Sequence, residues 1–384
     1  MSDKRIVFGA PHIGEEEIEE VVRTLRSGWI GTGPRVAQFE REFARYKQVP
    51  YAVAVNSCTA ALHLSLLAAG IGAGDEVITT PLTFCATVNA IIHTGAKPVL
   101  VDVDPATMNI DADGIESAIT PRTKAILPVH FAGLPCDMAA IERIAAAHNL
   151  KVIEDCAHAV EAEYRGRPTG TMGDYGCFSF YTTKNITTCE GGMITSRDER
   201  DAERLRRLAL HGMSKDAWKR FSDPKFRHYL VSEVGFKYNM TDLNAAIGIH
   251  QMRRMGSFWL RRREIWREYD LAFADLPLTL PAREPPGIKH GHHLYTVLID
   301  ADRCGKDREA FIEALDRRLV GVGIHYLCLA EHPIYQSRLG WRPEAYPNAT
   351  RIGRQTVSLP LTGALTTAEV ARVIAAVRDS LRAN

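Results

Sequence analysis

The chain has 384 residues, of which 46% are hydrophobic and 24% are charged. This length and composition are typical of a soluble globular protein with one large α/β domain and a smaller one. Lysine and arginine number 47 against 46 acidic residues, and the net charge of +1 predicts neither a nucleic acid nor an anionic membrane as partner. No apolar run has the length of a membrane span or of a signal-peptide core, so we predict a cytoplasmic protein.

Cysteine and histidine patterns do not predict a metal site. The eight cysteines include no CxxC pair, which argues against a structural zinc site and against a disulfide framework. His290, His292 and His293 lie in a segment rich in proline and glycine without a matched carboxylate. We therefore predict that no metal is bound.

The N-terminal segment is predicted to form two helices joined by a loop. The first begins at residues 14–17 and ends at Gly28, and its apolar face includes Ile18, Val22 and Leu25. Residues 29–34 form a loop that is either a packed connector or one wall of a ligand pocket. On the second interpretation, Trp29 and Thr32 are candidate substrate contacts.

From residue 51 onward, short β-branched runs alternate with helical segments. This alternation predicts βα units and a mainly parallel, buried sheet of seven strands. Ligands on such sheets bind at the carboxyl ends of the strands. The candidate strands are 52–55, 76–79, 98–103, 125–130, 151–155, 175–181 and 192–195.

The C-terminal part is predicted to be a small α+β domain covering residues 256–384, after a large domain with an N-terminal arm covering residues 1–255. Strands are expected at 294–299 and 323–326. The polar, aromatic-rich stretch 214–233 has no clear period, and we predict a loop that is mobile or contacts a partner.

Two residues indicate the type of cofactor chemistry. Asp155 ends a buried run, and Lys184 lies between an aromatic strand and a Gly-Gly pair. A lysine opposite an aspartate is what a pyridine-aldehyde cofactor requires, because the amine forms a Schiff base and the carboxylate keeps the ring nitrogen protonated. A dinucleotide site is not favoured, since no GxGxxG follows the first strand.

Other strand ends supply candidate cofactor contacts. Residues 56–61 leave a strand and open a helix, so that main-chain N–H groups with the Thr59 hydroxyl can hold a phosphate, and Ser179 can add a further hydroxyl. Phe84 can stack on a planar ring or simply belong to the core. His158 can donate to a ring oxygen or be a polar residue at the pocket edge.

These segments, taken together, resemble the DegT/StrS family of pyridoxal-phosphate sugar aminotransferases, and within it the UDP-4-amino-4-deoxy-L-arabinose synthases. The resemblance extends over nearly the whole chain. It implies a fold type I enzyme that is a homodimer with active sites at the subunit interface. The motifs that carry it are GWIGTGP, NSCTAALHL, TPLTF, EDCAHAV, SFYTTKN, EGGMI and KYNMTDLNAAIG.

The family's functional residues can be carried over by position. Lys184 would form the Schiff base, and Asp155 would pair with the pyridine nitrogen. The remaining cofactor contacts would be Thr59, Ala60 and Ser179 at the phosphate, Phe84 on the ring face, His158 beside the ring oxygen, and Asn239 at the phosphate of the neighbouring subunit. Candidate substrate contacts are Trp29, Thr32, His325 and Tyr326.

The implied reaction is a ping-pong transamination in amino-sugar biosynthesis, for a lipopolysaccharide or an antibiotic. Glutamate delivers an amino group, 2-oxoglutarate leaves, and a nucleotide-linked keto-sugar accepts the group, at C4 of a UDP-4-keto sugar. The alternatives are amination at C3, dehydration, and a non-catalytic regulator that binds pyridoxal phosphate. Lys184 favours transamination, because the dehydratases of this family carry a histidine there, and no basic DNA-binding segment supports a regulator.

Overall fold

A computed structural model describes residues 4–213 and 230–382. The α-helices of this part of the chain are α1 (Glu15–Ser27), α2 (Pro34–Lys47), α3 (Cys58–Ala68), α4 (Cys85–His93), α5 (Ala112–Ile115), α6 (Met138–His148), α7 (Glu199–Ala209), α8 (Asp242–Phe273), α9 (Ala301–Cys304), α10 (Arg308–Asp316), α11 (Pro333–Leu339), α12 (Pro347–Gln355) and α13 (Thr367–Arg382). The strands are β1 (Tyr51–Val55), β2 (Glu76–Thr79), β3 (Lys97–Leu100), β4 (Thr123–Ile126), β5 (Lys151–Asp155), β6 (Glu163–Tyr164), β7 (Arg167–Pro168), β8 (Tyr175–Ser179), β9 (Gly192–Ser196), β10 (Ile288–Lys289), β11 (Tyr295–Leu298) and β12 (Thr356–Leu359).

A seven-stranded sheet with the order β1-β9-β8-β5-β4-β2-β3 forms the centre of the fold. Its members correspond to the seven strands predicted from the sequence, although β3, β4 and β8 end earlier than expected, at Leu100, Ile126 and Ser179. Neighbouring strands are parallel from β8 to β3, whereas β9 runs antiparallel to both β1 and β8. The predicted α/β fold class with a mainly parallel sheet is therefore confirmed.

Both faces of the sheet are buried under helices. Val77 and Ile153 belong to the hydrophobic cluster that includes α3, while their neighbours Ile78 and Val152 belong to the cluster that includes α6. Successive residues of a strand point to opposite faces of the sheet. Because both faces are buried, the sequences of these strands are continuous apolar runs. With both faces covered, the strand ends are where a ligand can reach the sheet.

A second, two-stranded sheet lies in the C-terminal part, where β11 pairs antiparallel with β12. The prediction of a strand at 323–326 is wrong. In that segment Gly323 alone forms a bridge, to Ser358 of β12, because the following residues turn toward the carboxyl ends of the central strands. Strand β12 was not predicted from the sequence, because it directly follows α12 without a glycine or proline to mark its start.

Helix α8 connects the N-terminal and C-terminal halves of the molecule. Its first half packs on α1 and α2, and its last turns contribute Ile265, Tyr269 and Phe273 to the core around β11, β12 and α13. The helix runs without interruption through residue 256, so the domain division at 255/256 stays a prediction. Although α8 has 32 residues, no helix in the described ranges combines the length and apolarity needed to cross a membrane.

Helix α1 presents its apolar stripe outward. Ile18, Val22 and Leu25 are exposed, with fractional exposures of 47%, 36% and 53%. The opposite face, which includes Glu17 and Glu20, is buried against α8 and α2. Glu17 forms an ion pair with Arg254 and accepts a hydrogen bond from Gln251, and Glu20 pairs with Arg35 at 2.6 Å. Ion pairs, and not apolar burial, thus attach α1 to the rest of the chain.

Candidate active site

The carboxyl ends of the central strands surround a cavity of about 440 Å³. Its walls come from the segments after β1, β2, β5 and β8, and from residues 325–326 of the C-terminal part. Eight residues singled out in the sequence line it together: Thr59, Phe84, Asp155, His158, Ser179, Lys184, His325 and Tyr326.

The N-terminus of α3 forms one wall of this cavity. Ser57 caps the helix, and its Oγ accepts a hydrogen bond from the Ala60 main-chain N at 3.1 Å. Ala60 is buried behind this cap and does not line the cavity. A Cβ on Gly192 would lie 2.5 Å from the Ser57 carbonyl, so glycine is required there for β9 to abut the first turn. Thr59 and Ser179 place hydroxyls beside a helix terminus that favours an anion.

Asp155 ends β5 and is held in a fixed orientation. Its Oδ2 accepts a hydrogen bond from the Thr87 hydroxyl at 2.9 Å, and its Oδ1 accepts one from the Ala157 main-chain N at 3.1 Å. Burial raises the pKa of the Asp155 carboxyl, while these hydrogen bonds and the positive charge of Lys184 oppose the shift. A cationic partner in the cavity would therefore stabilise the ionised form.

Lys184 lies in the loop after β8 and lines the same cavity. Its main-chain N donates to the Tyr181 carbonyl at 2.9 Å. Burial lowers the pKa of the Lys184 amine to about 8, although Cys58 and Asp155 act in the opposite direction. A lysine with this pKa is partly neutral near physiological pH and can act as a nucleophile or a base.

His158 is a buried, neutral histidine with both ring nitrogens in use. The Ala132 main-chain N donates to Nδ1 at 3.3 Å, so the ring carries its hydrogen on Nε2, which donates to the Tyr326 hydroxyl oxygen at 3.0 Å. Burial, together with the positive charge of Lys184, lowers the pKa of His158 well below its ordinary value. The Tyr326 hydroxyl is left free to donate its own hydrogen into the cavity.

The C-terminal part contributes two side chains to the cavity. The Tyr326 ring lies 5.9 Å from the exposed ring of Phe84, centroid to centroid. Its neighbour His325 is held by Ser358 of β12, with 2.9 Å between Nδ1 and Oγ. Burial lowers the pKa of His325 to about 4, so this ring is neutral as well.

Trp29, Thr32 and Asn239 do not line this cavity. Asn239 donates to the Thr32 hydroxyl at 2.6 Å, and the Trp29 indole N–H donates to the Thr32 carbonyl at 3.2 Å. The buried Oδ1 of Asn239 has no hydrogen-bond partner within the described chain. Residues 214–229, most of the loop predicted at 214–233, lie outside the described residues.

The sequence did not predict the hydrogen-bond partners of two structural acids and one hydroxyl. Asp242 accepts hydrogen bonds from the main chain of Gly33, Arg35 and Val36, and so caps α2. Glu154 is buried and binds the main chain of residues 170–173. Thr87 follows Phe84 by three residues, a spacing that places both on one side of α4 and offers the only sequence signal for its role.

The donors and charges in the cavity fit pyridoxal phosphate. A carboxylate is available for a protonated ring nitrogen, and a lysine amine for an aldehyde carbon. A helix N-terminus with flanking hydroxyls is available for a phosphate. These protein groups lie on separate strand ends and correspond to the ring nitrogen, the aldehyde and the phosphate of the cofactor.

Comparisons with known proteins agree with this set of residues. The family model described as the DegT/DnrJ/EryC1/StrS aminotransferase family matches residues 11–378. The chain is 49% identical to the spore coat polysaccharide biosynthesis protein SpsC of Bacillus subtilis over 377 residues, covering 98% of this chain and 97% of that protein.

Solved structures are also similar over nearly the whole chain. The PLP-form of Spr1654 from Streptococcus pneumoniae matches with a TM-score of 0.90 and 34% identity, covering 98% of this chain and 99% of that one. The sugar aminotransferase CalS13 from Micromonospora echinospora matches with a TM-score of 0.85 and 30% identity, covering 96% and 98% of the two chains. These findings confirm the predicted enzyme class, a sugar aminotransferase that depends on pyridoxal phosphate. The chain belongs to the DegT/DnrJ/EryC1/StrS aminotransferase family.

Proposed function

We propose that this enzyme transfers the amino group of glutamate to C4 of a UDP-linked 4-keto sugar, in two half-reactions that share one site. The observation that carries the proposal is the placement of Lys184 and Asp155 in one cavity at the strand ends. Support for the sugar and for C4 comes from the resemblance of the motifs EDCAHAV, KNIT and KYNMTD to the arabinose-type enzymes.

Asp155 is proposed to hold the cofactor's ring nitrogen. Thr87 and the Ala157 main chain orient its two oxygens, so no side-chain rotation is needed when the ring binds. The bound cofactor supplies an electron sink for the carbanion formed at the substrate carbon. By keeping its negative charge beside the nitrogen, Asp155 maintains the protonated ring on which that sink depends.

Lys184 is proposed to move the proton. Because its pKa is near 8, a useful fraction of the amine is neutral and can accept a proton from the α-carbon of glutamate at Nζ. With the cofactor bound, Lys184 would hold that proton at Nζ and would be the group that delivers it in the next transfer. In the second half-reaction these transfers run in the opposite direction, toward the sugar.

Thr59 and Ser179 are proposed to bind the cofactor phosphate together with the first turn of α3. Phe84 and His158 would border the cofactor ring and exclude water from it. Ala60 would act through its main chain only, because its side chain is buried behind the Ser57 cap.

Tyr326 and His325 are proposed to contact the sugar. Burial raises the pKa of the Tyr326 phenol, so the group stays protonated and can donate to a sugar oxygen. His158 already donates to Tyr326 and thereby orients that donor.

A homodimer with shared sites is part of the proposal. The stripe of Ile18, Val22 and Leu25 is exposed on α1, and an apolar helix face of this kind is typical of an interface. Trp29, Thr32 and Asn239 do not line the cavity of their own subunit, and Asn239 keeps a buried oxygen without a hydrogen-bond partner in the described chain. In the dimer these residues would serve the partner's site.

Product analysis tests the reaction. The holoenzyme is converted with glutamate, freed of excess amino acid, and mixed with UDP-4-keto and nucleotide-linked 3-keto sugars, and NMR locates the new amine. We expect amination at C4 with release of 2-oxoglutarate. Amination at C3, loss of water without amine transfer, or no response to glutamate would each overturn the proposal, the last in favour of a non-catalytic regulator.

A further inference from the structure

Asn185, the residue after Lys184, uses every hydrogen-bonding group of its amide. Its Nδ2 donates to Oε2 of Glu161 at 2.7 Å and to the Gly291 carbonyl at 2.9 Å. Its Oδ1 lies 2.8 Å from Nδ1 of His293. These partners come from the segment after β5 and the segment before β11, so one amide joins the lysine loop to two other parts of the fold.

The chemistry of the partners settles the orientation of the amide. Glu161 and the Gly291 carbonyl only accept hydrogen bonds, so the nitrogen must face them and the oxygen must face His293. His293 therefore donates from Nδ1 and is fixed in one neutral tautomer. Its ring lies 4.5 Å from that of His158, centroid to centroid, which extends the connection to the cavity wall.

The other end of the connection is a buried ion pair. Glu161 binds Arg262 of α8, and both side chains are only 2% exposed. The two partners of an ion pair that is excluded from solvent stay together, because separating them would leave an uncompensated buried charge. Asn185 is thus hydrogen-bonded to an ion pair that lies outside its own loop.

We propose that Asn185 is the positioning residue for Lys184, tying the main chain beside the reactive amine to the Glu161–Arg262 ion pair and to His293. The inference rests on the proposed role of Lys184. Asn185 does not line the cavity and acts only through its neighbours. Without the Asn185 amide, the loop that carries Lys184 would adopt several positions instead of one, and the amine would no longer have a single position relative to the cofactor.

The Asn185→Ala holoenzyme tests this inference through two measurements besides turnover. The first is a pH titration of the absorbance of the lysine-bound cofactor, and the second is the rate at which the cofactor dissociates during dialysis. The titratable groups that interact electrostatically with Lys184 are Cys58, Asp155, His158, His293 and His325.

Asn185→Ala should keep the absorbance band but release the cofactor about tenfold faster, as expected for the loss of buried hydrogen bonds. Water that enters the loosened loop should raise the midpoint of the titration by roughly half a unit, because the burial that disfavours a positive charge on the lysine nitrogen is weakened. Asn244→Ala is the matched control, since Asn244 donates to the Thr188 carbonyl of the same loop at 2.8 Å without contacting Lys184, Glu161 or His293. It should leave both measurements unchanged.

Each result decides the proposal. If Asn185→Ala titrates and retains cofactor like the unmodified enzyme, or if Asn244→Ala changes both values equally, Asn185 has no positioning role. If the unmodified protein shows no lysine-bound band at all, the proposed function fails and this inference fails with it. Should Asn185→Ala not fold, Asn185→Ser keeps one hydroxyl donor for Glu161 and takes its place in the same comparison.

Discussion

The hydroxyl of Thr87, in the first turn of α4, donates a hydrogen bond at 2.9 Å to Oδ2 of Asp155 at the end of β5. Because that hydrogen is used on the carboxylate, Thr83 must donate to Thr87, with 2.8 Å between the two oxygens. The orientation of the acid that faces the cavity is thus set by the helix that follows β2, a strand separated from β5 by β4. This relationship suggests the first of five tests.

Thr87→Val keeps the volume of the side chain and removes its hydrogen bond to Asp155. We expect cofactor affinity to fall about tenfold, the usual cost of losing a hydrogen bond to a charged group. Fluorescence titration of the apoenzyme with cofactor measures the change. Thr79→Val is the control, because Thr79 is equally buried in β2 but donates to the Leu127 carbonyl; an equal loss in both variants would contradict a specific role for Thr87.

Lys184→Ala should abolish the absorbance band of the lysine-bound cofactor and lower turnover by at least about a thousandfold, because both the nucleophile and the proton carrier are lost. Lys47→Met is the control: Lys47 is also buried with its pKa lowered to about 8, but its Nζ binds the Thr169 carbonyl, outside the cavity. The control should keep the band. Retention of band and turnover in Lys184→Ala would remove Lys184 from its proposed role.

The buried Lys47 predicts a pH dependence of stability. Burial lowers its pKa from 10.5 to about 8 in the folded state. Between these two values the unfolded chain binds more protons than the folded chain, so the contribution of Lys47 to the free energy of unfolding rises with pH. Urea titrations of the apoprotein at several pH values should show the unmodified protein gaining stability relative to Lys47→Met from about pH 8 to about pH 10.5. A difference that stays constant or shrinks would contradict the assignment.

Leu25→Lys tests the α1 interface. Leu25 is 53% exposed on the apolar stripe, and a charge within the proposed dimer interface would be costly to desolvate. We expect light scattering with size-exclusion chromatography to show a shift from dimer to monomer. Leu271→Lys, at an 82% exposed position on α8, should leave the mass unchanged. A Leu25→Lys protein that stays dimeric would place the interface elsewhere.

Tyr326→Phe should separate the two half-reactions. The variant keeps the ring beside Phe84 but loses the phenol that is proposed to donate to the sugar. The sugar half-reaction should slow about tenfold, whereas the glutamate half-reaction should change little. Stopped-flow absorbance follows each half separately, with Tyr335→Phe as the control, because the Tyr335 hydroxyl donates to Asn89 away from the cavity. Equal slowing of both halves would argue against a contact with the sugar alone.

Several features could be predicted from sequence because they depend on local pattern. The alternation of apolar strands with helices predicted all seven strands of the central sheet, and the position of Asp155 after a buried run identified a strand end. Strand β12 could not be predicted, because a four-residue apolar run becomes a strand only when β11 lies beside it. Asp242 and Thr87 gave little signal, since their partners are 68 or more positions away in the chain.

The sequence by itself determined the family and the fold class and predicted the roles of Lys184 and Asp155, because these inferences depend on residue order along the chain. Only the tertiary structure decided which side chains support them. The amide of Asn185, the tautomers of His158 and His293, and the outward stripe of α1 follow from which distant segments meet. Hydrogen bonds and burial act over a few ångströms in space, and that distance is independent of separation in sequence.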